Sequence, residues 1–428
     1  MRGRVITLLL FGLAGAASAQ LALPPRVEQT VGGVTGAVGQ IGQGVDQTLQ
    51  RTGQAVDQTL DRTTGALGNV TRSAQTLVQN RTARLDSFVR TNRQSIERDD
   101  LGEPARRGVV LFVDPDPAAL ATAKGLGFTA QPVAGLETLG LAPVALSVPE
   151  GMSLANALRK LRAALPGKTL GSDAIHFPSG AQKGGTGAAP AAMPPVRSAV
   201  GLIDGGVGGG IDVANQRGFA AGGPVASDHG TAIASLLRTA GVTRVLSADV
   251  YGKDPAGGNA LAIAQALDWF AREKVPVVSV SLVGPRNLLL ERAIAAASAR
   301  GMTIVAAVGN DGPSAPPAFP ASYPSVLAIT GVDGRDRALI EAGHALHLDY
   351  AAPGADMKAP NARGRPESLR GTSYAVPFVA ARAAAAADNG KTGAALRAAL
   401  DAEARDLGRK GPDDLYGRGL ICGNCAPR

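Results

Sequence analysis

Three short segments carry residue types that together can cut an amide bond. An aliphatic run, Val200-Gly201-Leu202-Ile203, ends in Asp204-Gly205-Gly206. An acid at the carboxyl end of a buried strand lies where open α/β sheets hold their active sites, although such an Asp also serves simply to close a turn. Asp228-His229-Gly230-Thr231 precedes a helix of small apolar residues, and the chain has only 4 His from which to draw a neutral-pH base. Gly371-Thr372-Ser373-Tyr374-Ala375-Val376-Pro377 sets a Ser at the mouth of an Ala-rich helix. Free backbone N–H groups and positive potential at a helix start can stabilise an oxyanion, although a Ser there also reads as an ordinary N-cap. The three types complement one another. A hydroxyl is a poor nucleophile until an imidazole takes its proton. The imidazole in turn needs an acid on its other nitrogen to fix its tautomer and stabilise the cation.

In their chain order these segments resemble the Asp, His and Ser motifs of the subtilisin-like peptidases (subtilases). Val305-Ala306-Ala307-Val308-Gly309-Asn310 resembles the strand whose terminal Asn donates to the oxyanion. Ser279-Val280-Ser281-Leu282-Val283-Gly284-Pro285 resembles the strand that pairs with substrate, and Asp406-Leu407-Gly408 with Leu415-Tyr416-Gly417-Arg418-Gly419 fits the family's C-terminal pattern. The resemblance covers roughly residues 196–420. It implies a triad of Asp204, His229 and Ser373, with oxyanion donors at the Ser373 N–H and Asn310. Substrate would lie against Ser281, Leu282, Val283 and Val308, polypeptides would be cut through an acyl-enzyme, and no cofactor or metal is called for.

Some positions depart from the family's pattern. Ala232 stands where a second His is usual, outside the triad. Val283 stands where Gly is usual and Val308 where Ala is frequent. The added methyl groups imply a narrow pocket that favours small residues such as Ala before the cut bond. Ala181, Ala188, Ala189, Ala191 and Ala192 in the linker would then offer self-processing sites.

The elements that must position these residues divide the chain into five parts. Residues 1–19 read as a secretory signal: Arg2 and Arg4, the apolar run from Val5 to Leu13, then Ala17-Ser18-Ala19 before Gln20. Residues 20–106 are a low-complexity polar or amphipathic segment. Val45-Asp46-Gln47-Thr48-Leu49 recurs eleven residues on as Val56-Asp57-Gln58-Thr59-Leu60, close to one helix face, while many Gly weaken any helix. Residues 107–177 read as a βαββαβ ferredoxin-like α+β domain. Its expected strands are Val109 to Val113, one near Phe128, Val144 to Val148, and Thr169 to Phe177; Leu154, Leu158, Leu161 and Leu165 share a helix face behind Ser153. This domain resembles the propeptides of the family, which implies an intramolecular inhibitor and a self-processed precursor. Residues 178–195 are a Gly/Ala/Pro linker. Residues 196–428 alternate strands and helices, the pattern of a parallel sheet sandwiched by helices. The fold class expected is therefore a subtilisin-like α/β domain preceded by a small ferredoxin-like domain.

Other readings are weaker. The chain's 428 residues, 45% hydrophobic and 18% charged, can bury large cores. The net charge of +8 comes from Lys and Arg mixed with acids and not interleaved with aromatics, which does not favour nucleic acid. Asp204-Gly205-Gly206-Val207-Gly208-Gly209-Gly210 is glycine-rich after a strand, but no apolar helix adjoins it as a dinucleotide site requires. His344 and His347 lie near Glu341 and Asp349 without further ligand spacing, and read as solvated loop residues. Cys422 and Cys425 read as a local disulfide in an exported protein, with a redox motif or half a zinc site as alternatives. No stretch after the signal is long and apolar enough to span a bilayer, so the expected location is periplasmic or secreted. The remaining alternative is a catalytically silent, peptide-binding version of the same fold.

Overall fold

The computed structural model describes residues 75–179, 182–183 and 187–425. The signal-like start, the eleven-residue repeat and Ala181 lie outside the described residues. The organising element is a seven-stranded, all-parallel sheet. Its strands run Tyr350–Pro353, Val326–Val332, Thr303–Ala307, Val277–Val280, Val200–Asp204, Val245–Asp249 and Asn215–Gly218 across the sheet. Val200–Asp204 comes first in sequence, yet later strands flank it on both sides. The strand order therefore reverses beside it, and a crevice opens at its carboxyl end. The strands are aliphatic throughout because helices cover both faces.

One face buries the helices Asp228–Thr239, Val376–Asp388 and Gly393–Glu403. Ala380, Ala381, Ala383 and Ala384 are fully buried, so the helix that follows Ser373 lies close to the sheet. The other face carries Ala260–Arg272 and Leu288–Ala299. There the central strand must be slim: a Cβ on Gly201 would sit 2.8 Å from the Phe270 ring.

The smaller α+β unit uses strand alternation to serve two cores. In Pro104–Phe112, Val110 and Phe112 face the unit's own helices, Pro117–Gly125 and Leu154–Ala164. Leu111 points the other way, into the core shared with Ala260–Arg272 and Leu288–Ala299. Pro104–Phe112 pairs antiparallel with Val144–Ser147 and Leu170–Ala174, and Thr129–Pro132 pairs with Val144–Ser147. Side chains stitch the two units together. Asp173 accepts from the Leu261 N–H at 3.0 Å at the start of one helix, and Asn287 Nδ2 donates to the Ser172 carbonyl at 2.8 Å at the start of the other. Arg106 bridges Asp173 (3.3 Å) and Asp254 (2.7 Å).

Three sequence expectations need correction. The boundary at residue 107 falls too late: within the segment expected to be polar or amphipathic, 75–91 form a helix and Ile96–Arg98 pairs antiparallel with 104–106. The weakening glycines all lie earlier, and none occurs from 69 to 101. The expected strand from Thr169 to Phe177 is broken. Leu170–Ala174 stays in the small sheet, while Phe177–Pro178 crosses to pair with Leu282–Val283. Finally, the Ala-rich helix begins later than a start at Ser373: Ser373 sits in the single 3-10 turn Thr372–Tyr374, and the helix starts at Val376, where Pro377 fits its first turn. Cys422 and Cys425 are disulfide-bonded, with Cα atoms 5.2 Å apart. Among the described residues no helix is long and apolar enough to cross a membrane.

The fit at Gly201 generates a test. Gly201→Ala forces a methyl group into the Phe270 ring and should cost about 1–3 kcal/mol of stability by overpacking. Urea unfolding of the Gly201→Ala chain beside the parent would measure it. An unchanged midpoint would mean the ring moves aside freely.

Candidate active site

Four strand or helix ends converge at the crevice. Asp204, fully buried, closes the central strand. His229 lies in the first turn of Asp228–Thr239, whose cap Ser227 accepts the Gly230 N–H through Oγ at 2.9 Å. The close approach needs a glycine after Asp204, since a Cβ on Gly205 would fall 2.4 Å from Ser227 Oγ. As a result His229 Nδ1 lies 2.9 and 2.8 Å from the two Asp204 carboxylate oxygens. With Nδ1–H donating to that carboxylate, a neutral imidazole keeps Nε2 as a free acceptor. Nε2 is buried and has no hydrogen-bond partner.

Asn310 follows the strand Thr303–Ala307. The Thr372 N–H donates to its Oδ1 at 2.9 Å, and Thr372 Oγ1 ties to the Gly309 N–H and carbonyl at 3.1 Å each. Held from behind, the amide turns its Nδ2 toward the crevice. Ser281 Oγ donates to the Ser373 carbonyl at 2.9 Å, which anchors the turn that carries Ser373. The structure thus gathers Asp204, His229, Asn310, Ser281 and Ser373 around one point. Leu282, Val283 and Val308 lie beside it, and Val283 and Val308 line one cavity with Gly309, Phe319 and Gly343.

That point is occupied by the chain itself. Phe177 and Pro178 pair antiparallel with Val283 and Leu282, and the Ser179 N–H donates to the Ser281 carbonyl at 3.0 Å. On the other side the His176 N–H donates to the Gly258 carbonyl at 2.7 Å, and Tyr251 Oη donates to the His176 carbonyl at 2.8 Å. The segment is therefore held on both sides, by the strand Leu282–Val283 and by the loop that carries Tyr251 and Gly258. The Ser179 carbonyl accepts from Asn310 Nδ2 and from Ser373 Oγ, the latter at 3.0 Å. Beyond it Gln182–Lys183 pairs antiparallel with Arg370 and Leu369, just ahead of Ser373. The Ser179 carbonyl thus lies within reach of both a hydroxyl and an amide donor, with the hydroxyl turned to the carbonyl oxygen and His229 Nε2 left without a partner.

Sequence reasoning did not find Ser179. Of the linker alanines, Ala188 bridges Met357. Thr372 and Tyr251 were also missed. Thr372 flanks Ser373 in the motif, and its spacing gave a signal; Tyr251 had none. His347 Nε2 donates to the Val326 carbonyl at 2.9 Å and lies 3.4 Å from Asp349, so it serves the loop. Among the described residues there is no cluster of three or more metal-ligating side chains.

Comparison with known proteins places the chain in a family. The subtilase family model matches residues 218–419, a match that begins beyond Asp204. Subtilisin BL of Lederbergia lenta is 31% identical over 233 residues, 51% of this chain and 85% of that protein. Subtilisin DY of Bacillus licheniformis is 31% identical over 243 residues, 52% of this chain and 88% of that protein. The crystal structure of fervidolysin from Fervidobacterium pennivorans, a keratinolytic enzyme related to subtilisin, has the same fold. It aligns with a TM-score of 0.63 at 16% identity, over 75% of this chain and 61% of that one. With a parallel seven-stranded sheet, the family match and a relative covered over most of its length, this chain belongs to the subtilase family of serine peptidases.

Proposed function

We propose that the protein is an exported serine endopeptidase, made as a precursor whose first substrate is its own bond between Ser179 and Gly180. The observation that carries this reading is the Ser179 carbonyl, held by Asn310 Nδ2 and in contact with Ser373 Oγ. In the reaction, Ser373 Oγ adds to the Ser179 carbonyl carbon while its proton passes to His229 Nε2. Asp204 holds Nδ1–H and stabilises the imidazolium. The carbonyl oxygen becomes an oxyanion, bound by Asn310 Nδ2 and the Ser373 N–H. When the tetrahedral centre collapses, the bond to the Gly180 nitrogen breaks, and that nitrogen takes the proton from His229. Water then attacks the Ser179 ester with His229 again as base, which frees Ser373 and leaves a Ser179 carboxylate.

The small side chain before the bond agrees with a pocket narrowed by Val283 and Val308. Export rests on the signal-like residues 1–19. The α+β unit, which delivers residues 176–179 to the cleft, is read as the inhibitory propeptide. An uncut strand and its carboxyl-ended product make the same main-chain bonds, so docking outlasts the cut. Asn310→Ala should slow self-cutting roughly 100- to 1000-fold by loss of one oxyanion donor, while Ser373→Ala should abolish it. Both are read as the decay of full-length chain on a gel. A wild-type rate in Asn310→Ala would remove the oxyanion role.

Docking should also respond to acid through His176. The ring is fully buried, Nδ1 lies 3.3 Å from the Ala174 carbonyl, and Nε2 has no partner. Burial lowers its pKa from 6.5 to about 4. The docked state therefore favours the neutral ring. His176's contribution is complete above about pH 6.5 and fades as pH falls toward 4, by up to about tenfold per unit. Asp173 acts in the opposite sense: burial raises its pKa from 3.8 to about 6, so docking gains from its protonation below that value. Substituting His176 isolates the first effect. In a Ser373→Ala background, His176→Asn should hold residues 176–179 against hydrogen exchange relatively better at pH 5 than at pH 7.5. The gain over the parent should be about thirtyfold at most. A ratio that does not change with pH would rule out His176 as the acid-sensitive group.

A further inference from the structure

The helix over residues 75–91 lies outside the βαββαβ unit and does not serve that unit's helix-covered core. It packs instead on the catalytic domain beside the cleft. Arg84 Nη2 lies 3.0 Å from both carboxylate oxygens of Asp311, and Arg81 Nε lies 3.5 Å from the same group. Asp311 directly follows the oxyanion donor Asn310. Leu77 fills the space over Gly312, where a Cβ would meet its Cδ1 at 2.8 Å. About two turns further on, Leu85 is almost fully buried. Phe88 stands edge-to-face on Phe177, with ring centroids 5.0 Å apart, and joins Ile96, Ile175 and Ala256 in a small separate core. Arg81 and Leu85 thus form one wall of the cavity whose other wall is Val283, Val308 and Gly309.

Breaking the bond after Ser179 removes none of these contacts. Ile96–Arg98 ties the helix to the α+β unit by strand pairing, so both would remain on the enzyme after the cut. A peptide entering along Leu282 and Val283 meets Phe88, Leu85 and the arginines even where residues 177–179 have withdrawn. We propose that residues 75–98 are a second inhibitory element, a latch that docks by Arg81 and Arg84 on Asp311 and must release before outside peptides enter. This rests on the self-cutting peptidase reading above.

The test uses the full chain with Arg81→Glu and Arg84→Glu together, which sets like charges against Asp311, and Arg159→Glu on a remote exposed helix as control. In a Ser373→Ala background the double variant should speed hydrogen exchange of residues 80–91 about fivefold or more, with residues 109–112 unchanged. In the active chain it should cut at the same bond. The lag between that cut and hydrolysis of an added peptide should shorten by a similar factor, and the control should match the parent in both arms. Unchanged exchange, or faster exchange with an unchanged lag, overturns the latch. A parent chain that never cuts itself overturns the peptidase reading, and with it the inhibition. The exchange arm, run without Ser373, tells that failure apart from failure of the latch to dock.

Discussion

The bare backbone edge of residues 281–283 beside the crevice needs a partner, and here the partner is the same chain. The carbonyl of Ser281 and the backbone of Leu282 and Val283 are paired by residues 177–179. The carbonyl of Gly258 is paired by His176 from the other side. Much else follows from this pairing. It fixes where the small sheet must sit, since Leu170–Ala174 is only a few residues away. It brings Asp173 and Ser172 to the starts of the two covering helices. It also sets the Ser179 carbonyl at Asn310 and Ser373, because register along a strand leaves one residue for that position.

The catalytic side owes its geometry to the parallel sheet. Asp204 lies at the carboxyl end of the central strand, and Asn310 follows the end of another strand on the same side. His229 and Ser373 come from the helix and turn that return toward that side. No loop has to reach far, and each polar group is held by a second: Asp204 on His229, Thr372 on Asn310, Ser281 on the Ser373 backbone. Such support would limit the reorganisation required as charge develops in the proposed reaction.

The site was largely legible in the sequence, since its residues sit in short runs where special backbone and special chemistry coincide. Asp204-Gly205, Asp228-His229-Gly230 and Gly371-Thr372-Ser373 are of this kind. The core elements were legible too, because buried strands and one-sided helices have plain periodicities, as with Leu154, Leu158 and Leu161. What escaped notice lacked such a pattern. Phe177 ends the strand expected from Thr169, but its change of partner to Leu282–Val283 was not legible, since two residues are too short for alternation and Pro178 reads as the start of the linker. The helix over 75–91 is polar and Arg-rich, with its apolar residues spent on the partner surface. It was also hidden by a glycine-rich stretch just before it. The narrow pocket expected from Val283 and Val308 points to the many alanines, whereas the residue whose carbonyl lies at Asn310 and Ser373 is Ser179.

The most direct test of self-cutting is the N-terminus of the mature enzyme, read by intact mass and end sequencing of the exported chain beside its Ser373→Ala variant. The first cut should leave a chain that begins at Gly180, with the complementary fragment ending at Ser179, and the variant should stay joined there. A first cut within the alanines of the linker, or the same cut in the Ser373→Ala chain purified alone, would contradict the account.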